Sequence, residues 1–256
     1  YIIIFSNTNL LTIILCLMTK NNSKYIKLAI DTYGADNGEL VIINGCDIIS
    51  KNLDIFFIFI GNKKIIDPLI KKTKNIKHYS IVSTLNYVKA DEKGSEAIRS
   101  GKNTSMRMAI DLVKNGKADA VISAGNTGAL LSIAYILLRT IEGITRPAMT
   151  AYFPTKNGET AMLDLGANIE CDSKNLIDFA LMGSAFSRIV LKSNNPSVGL
   201  LNVGVEAQKG NIVLQEAASY FTNNDNKINY FGFVEGDGIA EGVVDVIVTD
   251  GFSGNI

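Results

Sequence analysis

Residues 118–131 read ADAVISAGNTGALL, a run of β-forming residues that ends in small polar residues and leads into a helix-like stretch. Five other segments have the same β-forming run followed by Gly, Asn, Asp or Ser, namely IKLAIDTYGAD (26–36), TAMLDLGAN (160–168), VGLLNVGVEAQKGN (198–211), FGFVEGDG (231–238) and DVIVTDGFSGNI (245–256). In an α/β protein, this pattern places small polar residues at the carboxyl ends of parallel strands. Ligands collect there, and helix N-termini offer free N–H groups to anions. The sequence therefore predicts a phosphate-handling site.

The rest of the chain alternates between strand-like and helix-like runs. Runs rich in Ile, Val, Leu and Phe predict strands at 26–31, 54–60, 79–83, 118–123, 148–153, 160–165, 197–203, 228–234 and 244–249. Helices are predicted at 105–116, 128–143, 173–191 and 211–222, and the second is apolar nearly all round, which predicts a buried helix. The Lys/Asn-rich stretches 61–78 and 222–229 are predicted to be surface segments. This alternation predicts an α/β fold with a doubly wound, mostly parallel sheet and helices on both faces.

Composition excludes several classes of function. Lys plus Arg and Asp plus Glu both number 25 in the 256 residues, so no global basic field draws the protein to nucleic acid. Cys16, Cys46 and Cys171 are far apart and form no C-x-x-C pair, which disfavours disulfides and thiolate metal sites and favours a reducing cytoplasm. The single histidine, His78, lies among lysines, which argues against a His triad or a multi-His metal site. No nucleotide-binding G-x-G-x-x-G or P-loop motif is present, and we expect neither a cofactor nor a metal.

The two ends of the chain carry weaker signals. Residues 1–18 are apolar but interrupted by Ser-Asn-Thr-Asn, and neither half reaches the roughly 18 residues that span a bilayer. We interpret 1–24 as an extraneous or disordered extension, in which residues 1–17 are upstream sequence translated ahead of a start at Met18, with a membrane anchor as the alternative. The last residues enter a strand-end loop that should lead into a helix. We therefore expect 25–256 to be one α/β domain that is truncated at its C-terminus.

The motif best suited to hold an anion is Ser123-Ala124-Gly125-Asn126-Thr127-Gly128. Its glycines let the backbone approach a ligand, its hydroxyl and amide groups offer hydrogen bonds, and the next helix directs its positive dipole end into the loop. A tight turn in which Asn126 or Thr127 only caps the helix explains the motif equally well.

Two later motifs repeat this construction. One is Asp164-Leu165-Gly166-Ala167-Asn168, and the other is Asn202-Val203-Gly204-Val205-Glu206 followed by Lys209 and Gly210. A lysine beside a flexible backbone can pair with phosphate as a point charge, although a solvated lysine ahead of a helix fits the spacing as well. The strand-end carboxylates fit capping and loop fixing better than metal binding, because no ligand spacing is apparent; they are Asp31, Asp36, Asp164 and Asp250.

Five ordered segments resemble the PlsX family of bacterial phosphate acyltransferases over nearly the whole chain from about residue 26: SMRMAIDLVKNGKADAVISAGNTGALL, LDLGANIEC, VGLLNVGVEAQKGN, FVEGDGI and DVIVTDGFSGNI. The resemblance implies transfer of a long-chain acyl group from acyl carrier protein to inorganic phosphate, which gives acyl phosphate for phospholipid synthesis. It also implies a homodimer, a cytoplasmic location with peripheral contact at the inner membrane, and a fold similar to the isocitrate and isopropylmalate dehydrogenases. The chain departs from the family pattern at Tyr33, Ala35 and Val205.

The residues agree with this chemistry. Phosphate is ionised at neutral pH and thiolate is a competent leaving group, so the protein mainly has to position phosphate and stabilise an oxyanion. We expect Lys209, Asn202 and Asn168 to be the catalytic residues. The other candidate site residues are expected to contact phosphate or the rest of the substrate: Asp31, Gly34, Ser123, Gly125, Asn126, Thr127, Gly128, Asp164, Gly166, Gly204, Glu206, Gly210, Asp250, Gly251, Gly254 and Asn255. All these motifs are expected to converge on one crevice.

Two alternatives remain open from the sequence. A coenzyme A-dependent phosphate acetyl- or butyryltransferase shares the reaction type but not these motifs, and it would need an adenine pocket. A truncated, non-catalytic remnant that only binds acyl carrier protein or a partner subunit is the second alternative. A carrier-protein substrate would need a basic patch beside the crevice.

Overall fold

A computed structural model of the protein describes residues 25–35, 38–99, 102–223 and 228–256. The extension predicted over 1–24 and the carboxylate of Asp36 lie outside these residues. The chain divides into two compact units, whose described residues run from 25 to 139 and from 140 to 256. The strand-end motifs are therefore distributed over two units, each with a sheet of its own.

The first unit contains a parallel sheet with the strand order β3-β2-β1-β4. Its elements are β1 (Ile26–Asp31), α1 (Glu39–Ile49), β2 (Ile55–Gly61), α2 (Lys63–Ile70), β3 (His78–Ser83), α3 (Gly94–Arg99), α4 (Ser105–Lys114), β4 (Ala120–Ser123) and α5 (Thr127–Leu138). The chain adds β2 and β3 on one side of β1 and then places β4 on the other. This reversal makes a topological switch point between β1 and β4, the place where open α/β sheets bind ligands.

Helices cover both faces of this first sheet. The strand residues that form a core cluster with α4 and α5 are Ala29, Ile58, Ile60 and Val121. Residues one position away point to the opposite face and are also almost fully buried, namely Leu28, Ile30, Phe57 and Phe59. Helices α1 and α2 bury side chains that do not belong to that cluster: Ile43, Cys46, Ile66 and Ile70.

The second unit contains a sheet with the strand order β5-β6-β9-β7-β8. Its elements are β5 (Thr150–Thr155), β6 (Gly158–Leu163), α6 (Ser173–Phe186), β7 (Ser197–Leu201), α7 (Ile212–Asn223), β8 (Asn229–Val234), α8 (Gly236–Glu241), β9 (Val246–Val248) and α9 (Gly251–Gly254). Within the described residues, the β5–β6 pairing is antiparallel and the others are parallel. Because β8 and β9 lie on opposite sides of β7, a second switch point lies between β7 and β9.

The core of the second unit lies between its sheet and helices α6 and α7, and it includes Leu163, Phe179, Val198, Leu200, Phe221 and Val246. Helix α6 approaches the sheet closely at Gly183, because a Cβ there would lie 2.5 Å from Cγ1 of Val246 and 2.8 Å from Cδ1 of Leu163. A smaller cluster on the other face contains Met162, Val234, Val244 and Ile247. Among the described residues, no helix combines the length and the apolar character needed to cross a membrane.

The structure confirms the α/β fold with mostly parallel strands, and each predicted strand is present within a few residues. The stretch 61–78 lies mostly at the surface, as predicted, although it contains helix α2, which buries Ile66 and Ile70. One prediction about burial is wrong. Helix α5 is not buried all round, because Tyr135 is 46% exposed and Ile136 is 49% exposed.

Candidate functional site

A cavity of about 660 Å³ lies in the second unit, at the carboxyl ends of β7 and β9 beside their switch point. Its volume is typical of small-molecule sites. It is lined by Cys171, Leu176, Leu201, Asn202, Val203, Gly210, Asn211, Val213, Leu214, Gly236, Thr249, Asp250 and Ser253. Helix α7 begins at this wall, where the side chain of Asn211 accepts a 3.0 Å hydrogen bond from the amide of Leu214. Three of the predicted site residues thus line a space that a ligand can enter, namely Asn202, Gly210 and Asp250.

Asn202 lines this cavity and carries an unused hydrogen-bond donor. The residue is only 8% exposed, and its Oδ1 accepts a 2.8 Å hydrogen bond from the amide of Val203. Its Nδ2 is buried and has no partner among the described residues. Because a buried donor without a partner costs about 1–3 kcal/mol, this group is suited to an acceptor that comes from outside the protein. A phosphate or carbonyl oxygen in the cavity would satisfy it.

The loop after β7 is built around Asn202 and Lys209 by two glycines. Gly210 has a φ of +86°, and a Cβ there would lie 2.5 Å from Oδ1 of Asn202. A Cβ at Gly204 would lie 2.7 Å from Oε2 of Glu206 and 3.1 Å from Cγ of Lys209. Side chains at either glycine would push these polar groups away. The two glycines therefore leave room for the side-chain amide of Asn202 and for the stem of Lys209.

Lys209, the lysine of this loop, is exposed, and its aliphatic stem lies against Gly204. Its backbone amide donates to the carbonyl of Glu206 at 2.9 Å, which tightens the turn before Gly210. Within the described part of the chain, Lys209 forms no salt bridge. Its ammonium group is thus available to an anion, although the side chain is not part of the cavity wall.

Asp164 organises the loop after β6. Its side chain is fully buried, and Oδ1 accepts hydrogen bonds from the amides of Met149 and Ala167 at 2.9 and 3.0 Å. Oδ2 accepts hydrogen bonds from the amide and Nδ2 of Asn168, at 2.7 and 2.9 Å. Nδ2 of Asn168 also donates to the carbonyl of Pro147 at 2.8 Å. Both side chains are therefore engaged inside the protein, and their predicted contacts with substrate remain predictions.

This loop is joined to the segment after β9. The amide of Gly251 donates to the carbonyl of Asn168 at 2.8 Å. A Cβ at Gly166 would lie 3.1 Å from Oδ1 of Asn255. Asp250 caps α9, because its Oδ1 accepts a 2.7 Å hydrogen bond from the amide of Ser253. The structure thus brings together three predicted groups in the second unit, from 164–168, 202–210 and 250–255.

Cys171 lies in the cavity wall at the end of the 164–171 segment, where its thiol donates a long, 3.4 Å hydrogen bond to the carbonyl of Asn168. Burial raises the pKa of this thiol to about 11, and the nearby carboxylates of Asp164 and Asp250 act in the same direction. The thiol is therefore protonated at neutral pH and is a poor nucleophile.

In the first unit, the predicted residues meet at the switch point between β1 and β4. Asp31 is 2% exposed, and its carboxylate accepts a 2.7 Å hydrogen bond from Oγ of Ser123. The hydroxyl of Ser123 accepts a 3.1 Å hydrogen bond from the amide of Gly125. Gly34 has a φ of +89°, and a Cβ there would lie 2.5 Å from Cα of Gly125. Burial raises the pKa of the Asp31 carboxyl, while hydrogen bonds from Ser123 and the Tyr33 amide oppose this effect.

Asn126 has a capping role in this unit. Its Oδ1 accepts a 2.9 Å hydrogen bond from the amide of Ala129, in the first turn of α5. Its Nδ2 donates to carbonyls in the segment before α3, those of Lys89, Ala90 and Glu92, at distances between 2.7 and 3.3 Å. Its side chain is therefore fully used within the unit. Contact of Asn126, Thr127 and Gly128 with an anion remains a prediction.

The motifs belong to two compact units, and their convergence on a single crevice remains a prediction. Sequence reasoning missed several residues of the cavity wall, namely Cys171, Leu176, Asn211, Val213, Leu214 and Thr249. Thr249, Asn211 and Cys171 lie inside sequence segments that had been singled out, and this position was the available signal. Leu176, Val213 and Leu214 carried no such signal in the sequence, because their spacing is the same as that of ordinary core residues. Among the described residues, no group of three or more His, Cys, Asp or Glu side chains is arranged to hold a metal ion.

Comparison with known proteins decides the family. Residues 26–256 match the family model described as "Fatty acid synthesis protein". The phosphate acyltransferase of Rhodospirillum centenum is 49% identical over 231 residues, which are 90% of this chain and 65% of that protein. The phosphate acyltransferase of Parvibaculum lavamentivorans is 45% identical over 234 residues, with the same coverage. The chain belongs to the PlsX family.

Family membership confirms the resemblance carried by the five sequence segments. The chain spans 65% of the length of these two PlsX relatives. Among solved structures, the EutD phosphotransacetylase from Staphylococcus aureus aligns with a TM-score of 0.64 at 18% identity, covering 94% of this chain and 83% of that chain. A branched-chain phosphotransacylase from Enterococcus faecalis V583 has a TM-score of 0.58 at 15% identity, covering 89% and 80%. At such identities the likeness shows the fold alone.

Proposed function

We propose that this protein transfers a long-chain acyl group from acyl carrier protein to inorganic phosphate and so produces acyl phosphate for phospholipid synthesis. One observation carries the proposal: Asn202, whose buried Nδ2 has no partner among the described residues, lines a cavity at the switch point of the second sheet. The names of the PlsX relatives supply the reaction class, since they are called phosphate acyltransferases.

In the proposed reaction, an oxygen of phosphate attacks the carbonyl carbon of the thioester. The new C–O bond forms as the C–S bond breaks, and the carrier thiolate leaves and takes a proton from solvent. Nδ2 of Asn202 donates to phosphate or to the developing oxyanion, and Lys209 supplies a positive charge at the same loop. Preorganised donors of this kind are usually the largest single contribution to catalysis of acyl transfer.

The proposed reaction needs no protein nucleophile and no imidazole base. The thiol in the cavity wall, Cys171, has a pKa of about 11 and stays protonated. The single histidine, His78, is the first residue of β3 and therefore lies at the amino end of the parallel sheet. Its Nε2 is 3.5 Å from the carboxylate of Asp54. A mechanism that depends on ionised phosphate and positioned donors is consistent with both facts.

The test is to incubate the full-length protein with hexadecanoyl-acyl carrier protein and phosphate and to measure acyl phosphate. Hexadecanoyl-coenzyme A and acetyl-coenzyme A serve as alternative donors in parallel reactions. Phosphate-dependent turnover of the carrier-protein thioester supports the proposal. Turnover of only the coenzyme A thioesters would assign the protein to the coenzyme A-dependent class, and no turnover of any donor by the folded protein would make it a non-catalytic remnant.

On the same family resemblance, we propose that the protein is a cytoplasmic homodimer with peripheral contact at the inner membrane. Sedimentation equilibrium at micromolar concentration measures the oligomeric state, and flotation with anionic phospholipid vesicles measures membrane contact. A single species with the mass of the monomer contradicts the dimer. Protein that stays at the bottom of the gradient contradicts membrane contact.

A further inference from the structure

The cavity beside Asn202 has a second, aliphatic wall that the proposed phosphate chemistry does not use. This wall consists of Cys171, Leu176, Val213 and Leu214. Leu176 is a buried member of the main core of the second unit, and the other three pack against that core while remaining partly exposed. Leu176 comes from α6, and Val213 and Leu214 come from the first turn of α7, two helices that contact each other. The wall is therefore a partly exposed extension of the hydrophobic core.

The strand ends and the covering helices contribute different groups to the cavity. The polar groups of Asn202, Thr249 and Asp250 follow the ends of β7 and β9, whereas Leu176, Val213 and Leu214 come from the helices that cover the sheet. Leu201 and Val203 add apolar surface beside Asn202, and Asn211 adds one polar group at the start of α7. A ligand with a polar head and an apolar tail matches this arrangement. None of the thirteen residues that line the cavity is aromatic, so a purine ring would find no stacking partner there.

We propose that this aliphatic wall is the subsite for the acyl chain and that Leu214 helps to set the chain length the protein accepts. The inference rests on the proposed function, which supplies a substrate with an acyl tail. The carbonyl end lies toward Asn202, and the chain runs between the first turns of α6 and α7. Burial of each methylene in such a subsite increases affinity about fourfold until the chain fills the space.

The experiment measures binding of alkyl phosphates with 6 to 12 carbons by titration calorimetry, below their micelle concentrations. In the unmodified protein, affinity is expected to rise about fourfold per methylene, with a negative heat-capacity change as the marker of apolar burial. Leu214→Phe fills part of the cavity and is expected to weaken the binding of dodecyl phosphate at least tenfold more than the binding of hexyl phosphate. Leu214→Ala enlarges the cavity, and affinity is then expected to keep increasing with each methylene up to longer chains than in the unmodified protein.

Ile212 provides the matched control. It lies two residues away on the same helix, is 66% exposed and does not line the cavity. Ile212→Phe and Ile212→Ala are expected to bind the alkyl phosphates with the same dependence on chain length as the unmodified protein. The subsite is refuted if the affinity of the unmodified protein does not depend on chain length. It is also refuted if both Leu214 variants fold and show the same dependence on chain length as the unmodified protein.

The acyl-phosphate assay separates failure of this inference from failure of the proposed function. If affinity depends on chain length and changes in the Leu214 variants, but no acyl phosphate is formed, the subsite is supported and the proposed function is refuted. If the protein turns over hexadecanoyl-acyl carrier protein but binds all alkyl phosphates with the same affinity, the proposed function stands and the acyl-chain subsite is refuted.

Discussion

The carbonyl oxygen of Asp164 occupies the space in which a side chain on Gly254 would begin, so that any Cβ at position 254 would overlap it. The methyl group of Thr249 lies 2.9 Å from the same point. Together with the hydrogen bond from the amide of Gly251 to the carbonyl of Asn168, this contact seats α9 on the loop that Asp164 organises. The two motifs are thus one structural unit although they are far apart in the sequence.

Gly254→Ala is expected to destabilise the protein. The methyl group meets backbone rather than a flexible side chain, and overpacking of this kind costs about 1–3 kcal/mol of the free energy of unfolding. Urea denaturation measures the effect. Gly236→Ala is the control, because a Cβ there meets nothing within 4 Å, and a change within about 0.5 kcal/mol is expected. Equal stability of the two variants would show that α9 is not held in this position.

Asn202→Asp is expected to lower the phosphate-dependent rate about 100-fold, the usual effect of removing one oxyanion donor. The carboxylate keeps the acceptor for the amide of Val203 but replaces the unpartnered donor with a negative charge. Asn211→Asp is the control, since it adds the same charge at the cavity wall and keeps the acceptor for the amide of Leu214. A comparable loss in both variants would indicate an effect of charge alone.

Lys209→Met is expected to lower the phosphate-dependent rate about 100-fold, because it removes the cation and keeps the aliphatic stem that lies against Gly204. Lys209→Arg keeps the charge and is expected to retain most of the activity, with a changed KM for phosphate because the guanidinium differs in shape. Steady-state kinetics at varied phosphate concentration measure both variants. An unchanged rate in folded Lys209→Met would identify a surface lysine without a role in the reaction.

Asp31 is expected to make stability depend on pH. Because burial raises the pKa of its carboxyl in the folded state, the folded protein binds more protons than the unfolded chain. Its contribution to the free energy of unfolding therefore falls as the pH rises from about 4 through the folded-state pKa. The difference in stability between the unmodified protein and Asp31→Asn, measured by urea denaturation between pH 4 and pH 8, isolates this group. A difference that is independent of pH contradicts the prediction.

Cys171 is expected to react slowly with iodoacetamide. The rise of its pKa from 9.0 to about 11 lowers the thiolate fraction at pH 8 about 100-fold. Mass spectrometry of a Cys16→Ser, Cys46→Ala variant follows this thiol alone, and the rate should increase about tenfold per pH unit up to pH 10. Dodecyl phosphate should slow the reaction further, because the thiol lies in the cavity wall. Fast alkylation at pH 8 would contradict the raised pKa.

The strands could be predicted because buried parallel strands appear as continuous apolar runs, as in β2, with the sequence IFFIFIG. Helix α1 was missed because ELVIINGCDII combines β-branched residues with a central glycine, both unfavourable to a helix. Helix α2 was missed because Pro68 lies inside it and lysines surround it. Contacts with neighbouring elements decided these two segments, and local sequence does not record such contacts.

The polar part of the site was easier to predict than its aliphatic part. Asn202, Gly204 and Gly210 stand out because small and polar residues directly follow an apolar strand. Val213 and Leu214 look like any apolar positions of an amphipathic helix, and only the packing shows that they face a cavity. The capping role of Asn126 was one of two interpretations of its motif, and the side-chain hydrogen bonds show it directly.

The cavity wall is drawn from segments that extend from Cys171 to Ser253, roughly 80 residues apart. On the ribosome, these residues emerge over about 4 to 16 s at ordinary rates of synthesis. During that interval Asn202 and the first turn of α7 exist without the segment that follows β9, which supplies Thr249 and Asp250. The cavity can therefore be completed only after the central strand β9, which lies between β6 and β7, has been synthesised.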